Sequence, residues 1–416
     1  MTSRHGTHRT GTVWRRALSG VGAGAGGVVV AAAIATGSAA PAQADLDDLF
    51  DPIISSLTDS IAVFDPAVAV DFTGWADELL DSLNAFDFLW PSTDSAFAAA
   101  ASGALPAADA VAAPPPIPME MLIGTEPAVY ASIDGGDSVP LLVDTGSAGI
   151  VVPSTLLGDD YSEQLQNLFN LGLPTSFGVS GYSGGVSYLY LTYDSVPVDY
   201  LDGDGGAILF PTDGPVNIEI YSYAPGNFAS LFTNDAFQNF LEGNNVDGIL
   251  GIGYNAYGPT ISPFVDYDGV LVDIPNGQLI IGDYDTTGWV STDGAPISTL
   301  FETVNGVTRS LSVNLDSGGV FGTIPSSLAP GTPLGEQIPD GVLISVTNSE
   351  GELLYSYTTG QFDISNDGTP ELVSNGPYAV SGTYINSGVI PFLNHQVYLD
   401  YDGTAAGTTY FSPFIP

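Results

Sequence analysis

The sequence predicts an all-β protein built from two similar lobes and preceded by a short helical segment, and three observations carry that expectation. From about Met119 onward, short runs of Val, Ile, Tyr, Phe and Thr alternate with Gly, Asp, Asn and Pro, with no long helical period. That stretch of about 300 residues suits two units of roughly 150 residues each. One extended pattern also occurs twice without a gap, as Val143 to Leu156 and as Leu315 to Leu328, once in each half.

The N-terminus is organised differently. Arg4, Arg9, Arg15 and Arg16 precede an apolar run rich in Gly and Ala, which ends in Ala42-Gln43-Ala44. This pattern reads as an export signal over residues 1–44, cut after Ala44, and the Arg15-Arg16 pair is compatible with a twin-arginine route. Residues 45–104 read as an acidic helical segment. Asp51 and Pro52 suit a helix start, and Ile53, Leu57 and Ile61 share a face; further on, Trp75, Leu79, Leu83, Phe86 and Trp90 recur at helical spacing. Such a segment either packs on the main domain or docks an envelope partner. Residues 105–118, with Pro114-Pro115-Pro116 and Pro118, form a stiff Pro/Ala-rich linker. The two lobes then occupy residues 119–290 and 291–416.

Composition narrows the function. The formal net charge is −42, and a cut after Ala44 leaves all 47 acidic residues facing Arg309 as the sole Lys or Arg. A chain so acidic repels phosphate backbones and anionic headgroups, which excludes nucleic-acid binding and electrostatic membrane attachment as primary roles. Its self-repulsion relaxes as carboxylates protonate, so tolerance of mild acid is expected. With no cysteine, disulfides and thiol chemistry are excluded. The 44% hydrophobic content suffices for a core, and a monomer is expected.

Each repeat contains an Asp-Thr/Ser-Gly: Asp144-Thr145-Gly146, followed by Ser147, and Asp316-Ser317-Gly318, followed by Gly319. If each Asp ends a strand and the chain then turns sharply, Gly146 and Gly318 allow their amides to reach the carboxylates, while Thr145 and Ser317 offer hydroxyls that tie the loops together. Two carboxylates brought together about a pseudo-two-fold axis cannot both ionise freely, so the pair shares a proton. Such a dyad performs general acid/base work on an amide: one member takes a proton from an attacking water, and its protonated partner polarises the carbonyl. Neither a metal nor another cofactor is needed.

These residues resemble the pepsin-like aspartic proteases of the two-lobed type, over roughly Leu122 to Pro413. Other landmarks follow in order. Gly181-Tyr182-Ser183-Gly184-Gly185, with Leu191 to Val198 after it, looks like a flap hairpin and its return strand. Val246 to Gly253 is similar to the apolar-apolar-Gly segment that braces the first Asp loop, and Asn386-Ser387-Gly388 stands where the second lobe has its counterpart. The resemblance implies a double β-barrel with an active-site cleft between the lobes. Asp144 and Asp316 would be catalytic, Thr145, Gly146, Ser147, Ser317 and Gly318 would support them, and Tyr182, Gly184 and Gly185 would close over an extended peptide or protein substrate. The chain also resembles the pepsin-like domains of mycobacterial PE/PGRS proteins, which are likewise cysteine-poor, Gly-rich and acidic. That likeness implies proteolysis outside the cytoplasm, secreted or at the cell envelope.

Two departures stand out. Val151 occupies the place of a tryptophan that usually hydrogen-bonds the flap tyrosine, so Tyr182 needs another partner or is looser. Gly319 replaces a hydroxyl that commonly supports the second Asp. These departures keep open a non-catalytic, envelope-binding use of the same fold. Residues 45–118 contain no Lys or Arg, which argues against a salt-bridged autoinhibitory propeptide. The acidic groups at Asp199, Asp202 and Asp204, and the repeated Asp-Tyr-Asp-Gly at 266–269 and 400–403, read as turns and not as calcium loops. His395, alone after the leader, reads as structural, and Arg309 as an exposed strand residue.

Overall fold

The computed structural model describes residues 113–416, apart from 159, 183–184, 225–226, 228–229, 231–232, 362–375, 403 and 416. The expected export signal (1–44), the helical segment (45–104), the first part of the linker (105–118) and Gly184 lie outside the described residues. What is described is mostly strand, arranged in three sheets.

The first sheet has eight strands drawn from residues 120–223 and 248–252. Its middle is the run Ser138–Asp144, Gly248–Ile252, Ala148–Pro153, with the first pair parallel and the second antiparallel. Ala148–Pro153 and Gly248–Ile252 are buried along their whole length, which explains why they read as unbroken apolar runs. The strand Glu126–Ile133 pairs with Ser138–Asp144 on one side and with Val186–Leu201 on the other. That second pairing closes six of the strands into a ring and leaves no edge at the seam.

The second sheet has seven strands between residues 297 and 386, and the third has six, contributed by residues 117–118, 269–293 and 397–411. The two Asp-Tyr-Asp-Gly repeats meet in the third sheet. Gly269 is registered against Asp400, and Tyr401 N donates to Asp268 O at 2.8 Å, so the first repeat leads into one strand and the second leads out of its antiparallel partner.

Period-two alternation sets which face each strand buries, and it buries one surprising residue. Along Ile297–Val304 the inward row is Ser298, Leu300, Glu302 and Val304, and Glu302 is 3% exposed with Oε2 lacking a partner among the described residues. Burial pushes its carboxyl up to about 8, and burial likewise raises Glu126 to about 8 and Glu219 to about 7. Because these folded-state values lie above those of the unfolded chain, the stability involved is fully present below about pH 4.5 and is lost as pH rises through 7 to 8. Glu302→Gln should leave the melting temperature nearly unchanged at pH 5 and raise it by a few degrees at pH 8.5, a gain of about 2–4 kcal/mol. Thermal unfolding of both proteins at the two pH values checks this; destabilisation at pH 8.5 would show that Glu302 is neutral or paired there.

Candidate active site

Both Asp residues are delivered in the same way. Asp144 ends a strand whose parallel neighbour, Gly248–Ile252, sets Gly251 beside it. Asp316 follows the strand Val307–Asn314, which runs parallel to Tyr384–Asn386 with Asn314 registered on Asn386. In each half a strand feeds the Asp loop and a strand from much later in the chain braces it.

The loops then hold each other. Thr145 N donates to Ser317 Oγ at 3.0 Å and Ser317 N to Thr145 Oγ1 at 2.9 Å. Each hydroxyl in turn donates to the strand leading into the opposite loop, Thr145 to Leu315 O and Ser317 to Val143 O, both at 2.6 Å. All four bonds are made by side chains with no exposed surface, in a setting where unpaired groups are costly. Asn314 adds a fifth tie, from Nδ2 to Gly146 O at 3.1 Å.

This reciprocal grip brings Asp144, Thr145, Gly146, Ser147, Asp316, Ser317 and Gly318 together. Gly146 N donates to Asp144 Oδ1 at 2.8 Å, and Gly318 N to Asp316 Oδ1 at 3.0 Å. Each carboxyl lies over the opposite glycine. A Cβ on Gly146 would sit 2.5 and 2.6 Å from the Asp316 oxygens, and one on Gly318 would sit 3.1 Å from Asp144 Oδ1. Asp144 is 5% and Asp316 8% exposed, so both are sheltered yet reachable.

The second oxygens are supported asymmetrically. Ser147 Oγ donates to Asp144 Oδ2 at 2.5 Å from three residues along the same loop. For Asp316 the donor is the Asn386 amide, which reaches Oδ2 from the bracing strand. The amide is oriented by Gly388 N, which donates to Asn386 Oδ1 at 2.9 Å, and Ser387 Oγ accepts from Asp316 N at 2.9 Å. Gly319 is what makes room, since a Cβ there would stand 2.9 Å from Asp316 Oδ2 and collide with Asn386 Oδ1. The missing hydroxyl at 319 is therefore replaced by an amide from elsewhere. In the sequence Asn386 stands out only as part of a bracing segment, and nothing local to it signals contact with Asp316.

Burial, followed by the charge of Asp144 and a hydrogen bond with it, pushes the Asp316 carboxyl well above the usual carboxylate range, against the lowering effect of Asn386 and Gly318 N. The pair thus holds a proton to higher pH than a free carboxyl does. The arrangement offers an acid and an adjoining proton acceptor, which is the equipment for activating water against a carbonyl.

Tyr182 ends the strand Ser176–Tyr182, which forms a hairpin with Val186–Leu201. Gly185, at φ +90°, closes the turn through its N–H to Tyr182 O at 3.0 Å. The Tyr182 ring lies in an aromatic stack, with centroids 5.6 Å from both Tyr188 and Phe240 and 6.2 Å from Phe237. Phe237 and Phe240 come from the helix Ala236–Gly243, and Val151 belongs to the same buried cluster. Where a tryptophan hydrogen bond was missing, stacking holds the tyrosine instead. Its hydroxyl is buried near those of Ser147 and Tyr188 but meets neither at hydrogen-bonding geometry.

The weaker candidates stand apart. His395 is buried, with Nδ1 2.7 Å from Ser412 O and its ring edge-on to Phe411 and Phe414. Arg309 is exposed on its strand, with Nη1 donating to Thr308 O at 3.4 Å. Among the described residues no group of three or more His, Asp or Glu side chains could hold a metal ion.

Residues 116–409 match the family described as the PE-PGRS C-terminal aspartyl peptidase-like domain. The chain is 35% identical over 314 residues to PE cleavage protein A of Mycobacterium tuberculosis, covering 71% of this chain and 51% of the relative. It is 34% identical over 314 residues to the protein of the same name in Mycobacterium marinum, covering 71% of this chain and 52% of that relative. The chain thus spans about half the length of these relatives. A match over most of the chain, enclosing both Asp loops, places it in the mycobacterial PE/PGRS-associated, aspartyl protease-like group, and the chain belongs to the PE-PGRS C-terminal aspartyl peptidase-like family.

Proposed function

We propose that this chain is an aspartic endopeptidase that hydrolyses peptide bonds with water activated between Asp144 and Asp316. The observation that carries the reading is the paired carboxyl site, held by reciprocal Thr145 and Ser317 hydrogen bonds. In this reading residues 119–290 and 291–416 form the two lobes of a double barrel, and the hairpin bearing Tyr182 closes over an extended peptide. Residues 1–44 direct export, and the monomeric enzyme acts outside the membrane or at the envelope, with residues 45–104 free to engage an envelope partner. The substrate is a protein, a class in keeping with the name of the relatives.

The chemistry follows with one proton shared by the pair and carried by Asp316 at the start of the cycle. Asp144 removes a proton from water as its oxygen bonds to the carbonyl carbon, and Asp316 gives its proton to the carbonyl oxygen. The tetrahedral diol then collapses: Asp144 passes its proton to the departing nitrogen, Asp316 recovers one from the hydroxyl, and the C–N bond breaks. The departures that favoured a non-catalytic use of the fold are met here by Asn386 at Asp316 and by the aromatic stack at Tyr182.

A statine-type transition-state analogue tests the proposal, because it binds tightly only where dyad and flap are both competent. Inhibition of peptide hydrolysis, with a melting temperature that rises with inhibitor concentration, is expected. A wild-type protein that neither cleaves peptides nor responds to the analogue would end the proposal. A second expectation concerns Asn386. Its N–H favours ionised Asp316, so Asn386→Leu should raise the proton affinity of Asp316, move the alkaline limb of the activity profile to higher pH and lower kcat by about tenfold. A limb that moves to lower pH would show that the amide does not act on Asp316 in this way.

A further inference from the structure

Three side chains that this mechanism does not use border the dyad: Asn314, Tyr384 and Tyr257. Asn314 lies two residues before Asp316 and is registered on Asn386. Tyr384 stands two residues before Asn386 on the same strand and therefore shares the face of the residue that touches Asp316. Tyr257 is attached to the other loop, in a bridge with Ser147 and with its carbonyl accepting from Ala148 N at 3.1 Å. The three thus draw on both halves of the site.

The Asn314 amide is only half used. The side chain is 6% exposed, Nδ2 donates to Gly146 O, and the amide interacts with the Tyr384 side chain. Oδ1 is buried with no partner among the described residues. An acceptor left so is unfavourable until a donor reaches it, and the neighbouring side chains that would turn aside to admit one, Tyr384 and Tyr257, are 40% and 55% exposed. Burial keeps the Tyr384 hydroxyl protonated.

We propose that Asn314, Tyr384 and Tyr257 form a polar subsite beside the scissile bond, which selects a substrate side chain carrying a hydrogen-bond donor. A hydroxyl, an amide or a cationic head satisfies Asn314 Oδ1, while the two tyrosine rings flank the stem of the side chain. An aliphatic side chain leaves the oxygen unpaired, and a carboxylate is repelled by both the acceptor and the dyad. This inference rests on the peptidase reading.

The test uses the full-length protein and a peptide library, with cleavage sites read by mass spectrometry, followed by kinetics on matched peptides that differ as Thr against Val or Asn against Leu at one position flanking the cut. Donor-bearing residues should be enriched at that position, with kcat/KM about tenfold above the isosteres. Asn314→Leu should reverse the preference toward Leu and Val. Asn314→Asp keeps an acceptor and adds charge, so it should shift the preference toward Lys and Arg; it also carries the test if the leucine variant does not fold. Aliphatic preference on both sides of the cut in the wild type, or a profile unchanged in both variants, overturns the subsite and leaves the peptidase standing. A wild-type protein that cleaves nothing in the library overturns both.

Discussion

Asp144→Asn and Asp316→Asn, made separately, should each lower peptide hydrolysis by about 10³- to 10⁴-fold, because an amide can neither take a proton from water nor give one to a carbonyl. The two variants should differ in stability although they match in inactivity. Asp144 accepts from Gly146 N and from the Ser147 hydroxyl, and that hydroxyl can rotate to accept from an amide, so both contacts survive in Asp144→Asn. Asp316 accepts from two N–H groups, Gly318 N and Asn386 Nδ2, and an Asn has only one oxygen to offer them. Asp316→Asn should therefore melt lower than Asp144→Asn. Steady-state kinetics and thermal unfolding of the pair check both statements; hydrolysis at the wild-type rate in either variant would remove the dyad mechanism.

Gly146→Ala should be the most damaging change at the site that alters no polar group. The new methyl would stand 2.5–2.6 Å from the Asp316 oxygens, and the loop has no freedom to retreat, being held through Thr145 and Ser317 on one side and through Asn314 to its carbonyl on the other. Forcing the carboxyl aside separates the acid from the base, so a loss of at least about 100-fold in kcat and about 1–3 kcal/mol in stability is expected. The equivalent Gly318→Ala should be milder, because its methyl meets Asp144 at 3.1 Å, where small adjustments suffice. Activity ratios of the two alanine variants give the answer, and a Gly318 variant more impaired than the Gly146 variant would contradict the observed asymmetry.

What was legible beforehand divides along sequence separation. The Asp loops were legible because duplication repeated a local device: the hydrogen bonds of Gly146 and Ser147 to Asp144 join residues two and three apart. Mostly-β architecture was legible from short alternating runs, as in Ile297–Val304, although the same alternation gave no warning that Glu302 falls in the inward row. Asn386 as the donor to Asp316 was not legible, because that contact depends on which strand lies parallel to Val307–Asn314, a matter of register between distant segments. Nor were the partners of Tyr182. Phe237 and Phe240 sit on a helix whose apolar spacing says that it packs, but not against what.

The unequal support of the two carboxyls also bears on the order in which the molecule assembles. Asp144 finds its donors within its own loop, so its surroundings are complete as soon as that turn forms. Asp316 waits for an amide 70 residues further along, and closing so long a stretch of chain is slow compared with forming a turn. In a refolding time course, sheet content and the burial of the Tyr182 stack should return first, and competence toward substrate last, when the strand carrying Asn386 docks.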